Sequence, residues 1–271
     1  MTLLEAIFLG IIQGATEFLP VSSSGHSILL PALFDMPNPS LDLIAIAHQG
    51  TLLAVFIYFW RDLWAVFLGM LRGLRRRAPF VDADSRLGWY IILGSVPAAT
   101  AGLLLEDFFE EMFARPIFAA GFLLLTAILL VIGERLLSGE LKISELDGLD
   151  ALAVGIFQML ALFPGISRSG STMTGGLWRG LDREAAARFS FLLGVPAIAG
   201  AGLLAVLDIQ GSNLEGQLMI YIVTFVASAG TGYLCIHFLL SWLKHRSLYP
   251  FAAYCAVFGT IYLLLALFDV I

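Results

Sequence analysis

Long apolar stretches alternate with short polar segments along most of this chain. A membrane-spanning helix needs about 20 mainly apolar residues to cross ~30 Å of hydrocarbon. Six stretches meet this requirement, and we interpret each as a full transmembrane helix: 41–60, 88–105, 116–133, 186–207, 217–242 and 248–270. The pattern therefore predicts an all-α, polytopic membrane protein that forms a single integral membrane domain over residues 1–271.

Two further apolar regions, 3–34 and 149–177, are interrupted by Pro, Gly and Ser. Each is typical of a helix, a tight polar tip and a second short helix, and neither half is long enough to cross a bilayer alone. Irregular backbone at membrane depth is tolerated only where protein or a wet cavity satisfies its N–H and C=O groups. We therefore expect two re-entrant helical hairpins whose tips meet near the bilayer midplane and line a cavity.

The two interrupted regions resemble each other at a constant offset of 145 residues. The identical pairs are Gly10/Gly155, Ile11/Ile156, Gln13/Gln158, Phe18/Phe163, Ser22/Ser167, Ser24/Ser169 and Gly25/Gly170. We expect an inverted-topology repeat, with a first unit of about 1–137 and a second of about 149–271. Such repeats commonly place the functional site at their interface. At this offset Glu17, Ser23 and His26 correspond to other residue types, so each hairpin is predicted to contribute a different part of one site.

Composition and charge narrow the class of protein. Hydrophobic residues make up 59% of the chain and charged residues 13%, and the mean hydropathy is +0.90. The net charge of −6 and the lack of a basic face exclude a nucleic-acid-binding surface. The two cysteines, Cys235 and Cys255, lie in apolar runs and indicate neither a disulfide framework nor a thiolate metal cluster.

The positions of Lys and Arg predict the orientation in the membrane. Cytoplasmic connections carry an excess of these residues. If the segment 61–86 is a cytoplasmic loop, all fifteen cations lie on that side except Arg115, beside the acidic loop 106–111, and Arg168, at a hairpin tip. This orientation places both termini outside, and the first hairpin enters from the outer side.

The residues at the two tips predict a phosphate-binding site. Ser and Thr cap short helices, while Gly lets an oxyanion approach free backbone N–H groups at a helix N-terminus. The candidates for substrate binding are Ser22, Ser24, Gly25, Gly165, Ser167, Ser169 and Thr172. The serines could instead serve only as helix caps.

Two charged residues lie at the predicted membrane depth. A cation there costs ~2.5–3.5 kcal/mol, so Arg168 needs a partner or a function. Its guanidinium suits two phosphate oxygens, and the alternative is a structural ion pair with Glu17. Gln13 lies four residues before Glu17 on the same helix face. The two could hold Mg²⁺, which needs few protein oxygens, although Gln13 could equally orient a water or cap the hairpin.

Histidines are candidates for proton transfer. His26 follows the serine run by one glycine and could exchange protons near neutral pH, so we interpret it as functional. His48, in the first full span, could support the site, but the preferred interpretation is that it has no functional role. His237 and His245, near the end of the fifth span, need no special role.

Two motifs extend over these residues. The pattern Glu/Gln-x-x-x-Glu followed by Pro-x-Ser-Ser-x-Gly-His matches Gln13, Glu17, Pro20, Ser22, Ser23, Gly25 and His26. The pattern Pro-Gly-x-Ser-Arg-Ser-x-x-Thr matches Pro164, Gly165, Ser167, Arg168, Ser169 and Thr172. In both motifs, and over essentially its whole length, the chain resembles the undecaprenyl-diphosphate phosphatase family associated with bacitracin resistance. Many members carry Glu where this chain has Gln13, which weakens the expectation of a two-carboxylate metal site.

The resemblance implies hydrolysis of the lipid substrate undecaprenyl diphosphate to the monophosphate, dependent on a divalent cation, Mg²⁺ or Ca²⁺. It implies a site on the outer side of the bacterial plasma membrane, recycling of the lipid carrier for peptidoglycan synthesis, and bacitracin resistance. The predicted catalytic residues are Glu17, Ser23, His26 and Arg168, with Glu17 and Gln13 as metal ligands. Either Ser23 or a water attacks the phosphorus, and His26 transfers the proton.

Three questions stay open at this point. A transporter (flippase) of the isoprenyl phosphate carrier is the alternative function, because broken helices in an inverted repeat are a transporter design. The acid-phosphatase superfamily is disfavoured, since neither its Lys/Arg-rich first motif nor its later His with an Asp partner is found. The chain could act as a monomer or as a homodimer.

Overall fold

The computed structural model describes residues 1–34, 39–208 and 214–268, and in these ranges the protein is helical without a β-strand. The described residues form twelve α-helices: α1 Leu3–Phe18, α2 Ser23–Leu33, α3 Leu41–Tyr58, α4 Trp60–Arg75, α5 Ala83–Leu104, α6 Glu106–Phe113, α7 Pro116–Leu136, α8 Gly148–Leu160, α9 Arg168–Trp178, α10 Arg183–Asp208, α11 Leu214–Leu243 and α12 Tyr249–Leu267. A single 3₁₀ turn, Ile143–Glu145, precedes α8. The prediction of an all-α fold is confirmed for the described residues.

In the part of the chain that the structure describes, five helical segments are long and apolar enough to cross a membrane. They are Leu41–Tyr58, Ala83–Leu104, Pro116–Leu136, Gln217–Leu243 and Tyr249–Leu267. Large apolar side chains such as Ile92, Ile128 and Val226 are exposed on them, as expected where lipid rather than water surrounds the protein. The chain is therefore a multi-pass membrane protein. The predicted span 186–207 falls within α10, and residues 269 and 270 of the last predicted span lie outside the described part.

Two segments predicted as loops are helical. In the predicted loop 61–86, residues 61–75 belong to α4, and the predicted loop 106–111 belongs to α6. Helix α4 buries Val66 and Gly69 on one side, and Trp64 and Phe67 remain exposed. A helix with charged residues and exposed aromatic residues is typical of a membrane interface, so the density of charge that suggested a loop is compatible with helix here.

Both interrupted regions contain a helix, a tip and a second helix, as predicted. Helices α1 and α8 begin with capping boxes, at Thr2 and Asp147, which satisfy the first free N–H groups. Helices α2 and α9 have 11 residues each and start at Ser23 and Arg168, which are 145 positions apart. The tips differ in length, because α1 ends at Phe18 and α8 ends three repeat positions earlier, at Leu160.

The first helix of each interrupted region packs on a helix from the other half of the chain. Helix α1 packs on α11, and α8 packs on α5. At the second contact a Cβ on Gly155 would meet the backbone of Gly94, so the two helices approach as closely as glycine permits. Helix α7 contacts α2, α9 and α12. The two tips are therefore held between elements from both halves.

Ion pairs connect helices at one end of the molecule. Arg183 binds Glu134 through two nitrogens, and Glu134 also accepts the N–H of Leu248 at 2.7 Å. Arg179 pairs with Asp150, Arg188 with Asp62, and Lys142 with Asp182. Glu134 lies 18 residues after Pro116 on α7, which is about 27 Å along a helix. The Arg183–Glu134 pair thus lies nearly a membrane thickness from the start of α7.

Candidate active site

A cavity of about 770 Å³ lies between the two tips and helices α3, α7 and α10. Its polar wall contains Glu17, Ser23, Ser24, His48, Ser167 and Arg168. The rest of the lining is mainly apolar and includes Ile28, Ala32, Leu41, Ile44, Phe113, Pro116, Ala197 and Ile198. The cavity therefore combines groups that can bind an anion with a surface that can accept a hydrocarbon chain.

The two tips are in direct contact. The backbone N–H of Gly165 donates to Ser24 Oγ at 3.3 Å, and Ser169 Oγ donates to the carbonyl of Leu19 at 3.3 Å. A Cβ on Gly25 would lie 3.3 Å from the Cα of Gly165. Residues 140 positions or more apart in sequence thus form one polar wall.

Glu17 is at the centre of this wall and is 7% exposed. Its Oε1 accepts a hydrogen bond from Arg168 Nη2 at 2.7 Å. Its Oε2 accepts from Ser23 Oγ at 2.7 Å and from Gln13 Nε2 at 3.0 Å. The ion pair with Arg168, which the sequence left as an alternative, is present, and the same carboxylate also holds the hydroxyl of Ser23.

Arg168 is held from several sides. It is the first residue of α9, whose N-cap Ser167 accepts the N–H of Gly170 at 3.1 Å. Its Nη1 donates to the carbonyl of Ser190 on α10 at 3.0 Å. A Cβ on Gly194 would collide with the guanidinium, so any larger residue there would force the Arg168 side chain to shift. Two of the five guanidinium N–H groups bond to Glu17 and Ser190, which leaves three for an anion in the cavity.

The second tip depends on a hydroxyl from α7. Thr126 Oγ1 donates to the carbonyl of Gly165 at 2.9 Å and accepts the N–H of Ser167 at 3.0 Å. Gly165 has a φ of +94°, which L side chains rarely adopt. The sequence analysis did not identify Thr126 and Ser190 as residues that hold the second tip. The available signal was that each is a hydroxyl residue within an apolar span.

The first tip contains backbone strain. Ser22 has a φ of 71°, which is unusual for a residue with a side chain. It caps α2, since its Oγ accepts the N–H of Gly25 at 3.1 Å. Strained residues of this kind concentrate at functional sites. Here the strain lies immediately before Ser23, whose hydroxyl faces Glu17.

The two histidines near the tips differ in what their Nε2 atoms face. His26 is 2% exposed, its Nδ1 lies 2.7 Å from the Ser22 carbonyl, and its Nε2 lies 2.6 Å from the Tyr254 hydroxyl. Its ring stacks on Phe258, and it is not among the residues of the cavity wall. His48 lines the cavity, with its Nε2 3.6 Å from Glu17 Oε2. For His48 the geometry favours a role in supporting the site, which was the less favoured interpretation of the sequence. The role of His26 in proton transfer stays a prediction.

The predicted site residues fall into two groups. Five lie in the cavity wall: Glu17, Ser23, Ser24, Ser167 and Arg168. The others lie behind it and hold the tips: Gln13, Ser22, Gly25, His26, Gly165, Ser169 and Thr172. Thr172, for example, bonds to the Arg168 carbonyl and to Ser190 Oγ, both at 2.7 Å. Substrate binding by this second group stays a prediction, and their contacts here are with protein.

The residues of the wall fit a divalent cation with few protein ligands. Among the described residues, no group of three or more His, Cys, Asp or Glu could hold a metal ion. The Glu17 carboxylate is nevertheless a ligand of the kind that Mg²⁺ and Ca²⁺ prefer, and Mg²⁺ usually binds one or two carboxylates plus waters and phosphate oxygens. Gln13 is 1% exposed and turns its Nε2 towards Glu17.

Comparison with known proteins identifies the family of the chain. The family model described as bacitracin resistance protein BacA matches residues 6–261. The chain belongs to the BacA family. A BacA relative from Thermomicrobium roseum, named undecaprenyl-diphosphatase, is 45% identical over 276 residues that cover 99% of each chain. A protein of the same name from Methanosphaera stadtmanae is 42% identical over 98% of this chain and 99% of its own. The range that the BacA model matches spans both tips.

Proposed function

We propose that this protein hydrolyses undecaprenyl diphosphate to undecaprenyl phosphate and inorganic phosphate, the activity for which its BacA relatives are named. The observation that carries the proposal is the Glu17 carboxylate in the cavity wall, with Ser23 on one oxygen and Arg168 on the other. A hydroxyl, a base and a guanidinium in contact are the groups that phosphoryl transfer requires. The reaction recycles the lipid carrier of cell-wall precursors, and the family name refers to bacitracin resistance.

Ser23 is the nucleophile in this mechanism. Its Oγ attacks the terminal phosphorus while its proton passes to Glu17, which already accepts that hydrogen bond at 2.7 Å. The bond from this phosphorus to the bridging oxygen breaks, and undecaprenyl phosphate leaves with the electron pair. Glu17 passes that proton to the departing undecaprenyl phosphate and is a base again. Water then attacks the phosphorus of the phosphoserine and gives one proton to Glu17, the bond from this phosphorus to Ser23 Oγ breaks, and Oγ takes the proton from Glu17 as inorganic phosphate leaves.

Arg168 binds the terminal phosphoryl group. A phosphate that enters the cavity competes with Glu17 for the guanidinium, whose fork matches two phosphate oxygens. Helices α2 and α9 both begin at this wall, so their N-termini add backbone N–H groups and positive dipole ends. Donors that are positioned before the reaction stabilise the charge that develops on the phosphoryl oxygens.

A divalent ion, Mg²⁺ or Ca²⁺, would neutralise the charge of the diphosphate when bound, and Glu17 would hold it. Gln13 orients Glu17 through the hydrogen bond between them. In this arrangement His26 holds the α2 tip against Tyr254. Proton transfer by His26 stays a prediction.

The membrane arrangement proposed here has six full spans and two re-entrant hairpins in an inverted repeat, within one domain over 1–271. The equal offset of the helix starts supports it, as does the exchange of partners between α1 with α11 and α8 with α5. The repeat units are about 1–137 and 149–271.

We further propose that the cavity opens to the outer side of the bacterial plasma membrane. Phe113 and Pro116 line the cavity at the start of α7, and Arg183 is paired with Glu134 near the other end of that helix. An excess of cations marks the cytoplasmic side. The isoprenyl chain would leave through the apolar lining towards lipid.

The test is phosphate release from undecaprenyl diphosphate by the purified protein in detergent with Mg²⁺. Glu17→Gln and Arg168→Ala are expected to lose about a thousandfold or more in kcat/KM, because each removes a charge from the reacting centre. Arg115→Ala is the control, since that residue belongs to an exposed ion pair with Glu111 and should have little effect. Normal activity in either site variant would contradict the assignment.

The nucleophile is tested separately with substrate that carries a radioactive terminal phosphate. Acid quenching within the first turnover should leave label on Ser23, and Ser23→Ala should form no labelled protein. Unlabelled protein during rapid turnover would identify water as the attacking group. Movement of the lipid in liposomes without any phosphate release would identify a transporter instead.

A further inference from the structure

His48 is placed to be more than a neighbour of Glu17. Its Nε2 lies 3.6 Å from Glu17 Oε2, which is too long for a hydrogen bond. Both atoms belong to residues of the cavity wall. We propose that Glu17 and His48 together bind the divalent cation, with His48 Nε2 as a nitrogen ligand.

The hydrogen-bonding of the ring prepares Nε2 for this role. His48 Nδ1 lies 2.8 Å from the carbonyl oxygen of Ile44. A carbonyl only accepts, so Nδ1 carries the hydrogen, and the neutral ring then has its lone pair on Nε2. Metal-binding histidines almost always donate their other ring N–H to a carbonyl or carboxylate in this way.

The distance also suits one shared ion. Zinc-like ions bind nitrogen and oxygen at ~2.1 Å. If one ion lies at that distance from both His48 Nε2 and Glu17 Oε2, which are 3.6 Å apart, the nitrogen–ion–oxygen angle is ~120°, near the tetrahedral value. The remaining positions face the cavity, where waters and phosphate oxygens can complete the coordination. Glu17 Oε1 keeps its bond to Arg168, so binding of the ion does not require the ion pair to break.

The other candidate ligands are less suitable. His26 has the same Nδ1 contact to a backbone carbonyl, but its Nε2 is occupied by the Tyr254 hydroxyl at 2.6 Å. Gln13 is buried behind Glu17 and donates to it. His48 therefore replaces Gln13 as the second ligand of the metal site that the sequence predicts.

A nitrogen ligand changes which ions bind best. Imidazole favours transition-metal ions, whereas Mg²⁺ and Ca²⁺ prefer oxygen alone. We expect Mn²⁺, Co²⁺ and Zn²⁺ to bind more tightly than Mg²⁺ or Ca²⁺. The inference rests on the proposed function only for the role of the ion, which is to neutralise the charge of the diphosphate. Binding of the ion is a separate property.

The test uses Mn²⁺ and the full-length protein in detergent, with electron paramagnetic resonance as the readout. Bound Mn²⁺ should show nitrogen modulation of its spin echo. His48→Ala should lose this modulation and weaken Mn²⁺ binding by about tenfold or more. His48→Glu should bind Mn²⁺ without the modulation, which separates loss of a nitrogen ligand from loss of the fold. His237→Ala, an exposed histidine on α11, is the matched control and should keep both properties.

Persistence of nitrogen modulation in His48→Ala, or no Mn²⁺ binding by the unmodified protein, would overturn the inference. Phosphate release is measured on the same samples. Hydrolysis without a nitrogen-ligated ion would leave the proposed function standing, and a nitrogen-ligated ion without hydrolysis would contradict the function alone.

Discussion

The first and second broken hairpins have second helices of equal length but carry different chemistry. In the first, Gln13 on α1 donates to Glu17 one turn later. In the second, the corresponding glutamine, Gln158 on α8, is buried, and neither amide atom has a hydrogen-bond partner, because Leu162 stands at the position of the carboxylate. The fold thus builds the same helix start twice, but each hairpin carries a different charged group: a carboxylate in the first and a guanidinium in the second.

The backbones of the tips differ as well. The N-caps Ser22 and Ser167 occupy the same repeat position, with φ of 71° and −70°. The second tip is longer and takes its left-handed turn at Gly165, where glycine adopts the conformation at little cost. The strain is therefore confined to the hairpin that carries Ser23 and Glu17, which suggests that it serves the chemistry rather than the turn.

Among the variants that compare the two hairpins, the largest effect is expected from moving Arg168 without replacing it. Gly194→Ala places a Cβ against the guanidinium, so the side chain must shift away from Glu17 and Ser190. A displacement of about 1 Å can cost about a hundredfold in rate. We expect kcat/KM for phosphate release to fall by about that factor.

Gly200→Ala, on the same helix, is the matched control. Its Cβ would meet nothing within 4 Å, so activity should be unchanged. Equal activity of the two variants would show that the second hairpin does not hold Arg168 in the position that catalysis uses.

The sequence predicts the breaks and charges of the two hairpins better than the contacts that hold their tips. The breaks, the repeat offset and the charged pair follow from composition, because Pro, Gly and intramembrane charge are conspicuous in apolar runs. The contacts of Thr126, Ser190, His48 and Tyr254 with the tips do not follow, since each is a single polar residue on a helix whose rotation and neighbours only packing determines. Helices α4 and α6 were missed for a related reason: charge density was interpreted as loop, although an interfacial helix tolerates it.

A second effect separates the two glutamines. Gln13→Leu removes a hydrogen bond to a buried carboxylate, which is worth ~1.5–3 kcal/mol, so both thermal stability and activity should fall, the latter by about tenfold. Gln158→Leu removes an amide that has no partner, and replacing such a group by an apolar one of similar shape is neutral or stabilising. Its midpoint of thermal unfolding should stay the same or rise.

Thermal unfolding in detergent and phosphate release are measured on both glutamine variants. Destabilisation by Gln158→Leu as large as that by Gln13→Leu would show that the second amide has a partner, such as a bound water, and that the hairpins are more alike than their side-chain contacts indicate.

The smallest effect concerns the two N-caps and tests where the strain lies. Ser22→Gly relieves a φ of 71°, a strain of about 1–3 kcal/mol, while glycine costs only a few tenths as an N-cap. Both variants bear the ~0.5–1 kcal/mol conformational entropy cost of glycine, but Ser167→Gly loses its cap hydroxyl with no strain to relieve. The midpoint of thermal unfolding should therefore rise slightly or hold for Ser22→Gly and fall for Ser167→Gly. A fall of equal size in both would mean that the first tip is held by the Ser22 hydroxyl alone and that its positive φ stores no strain for Ser23 to use.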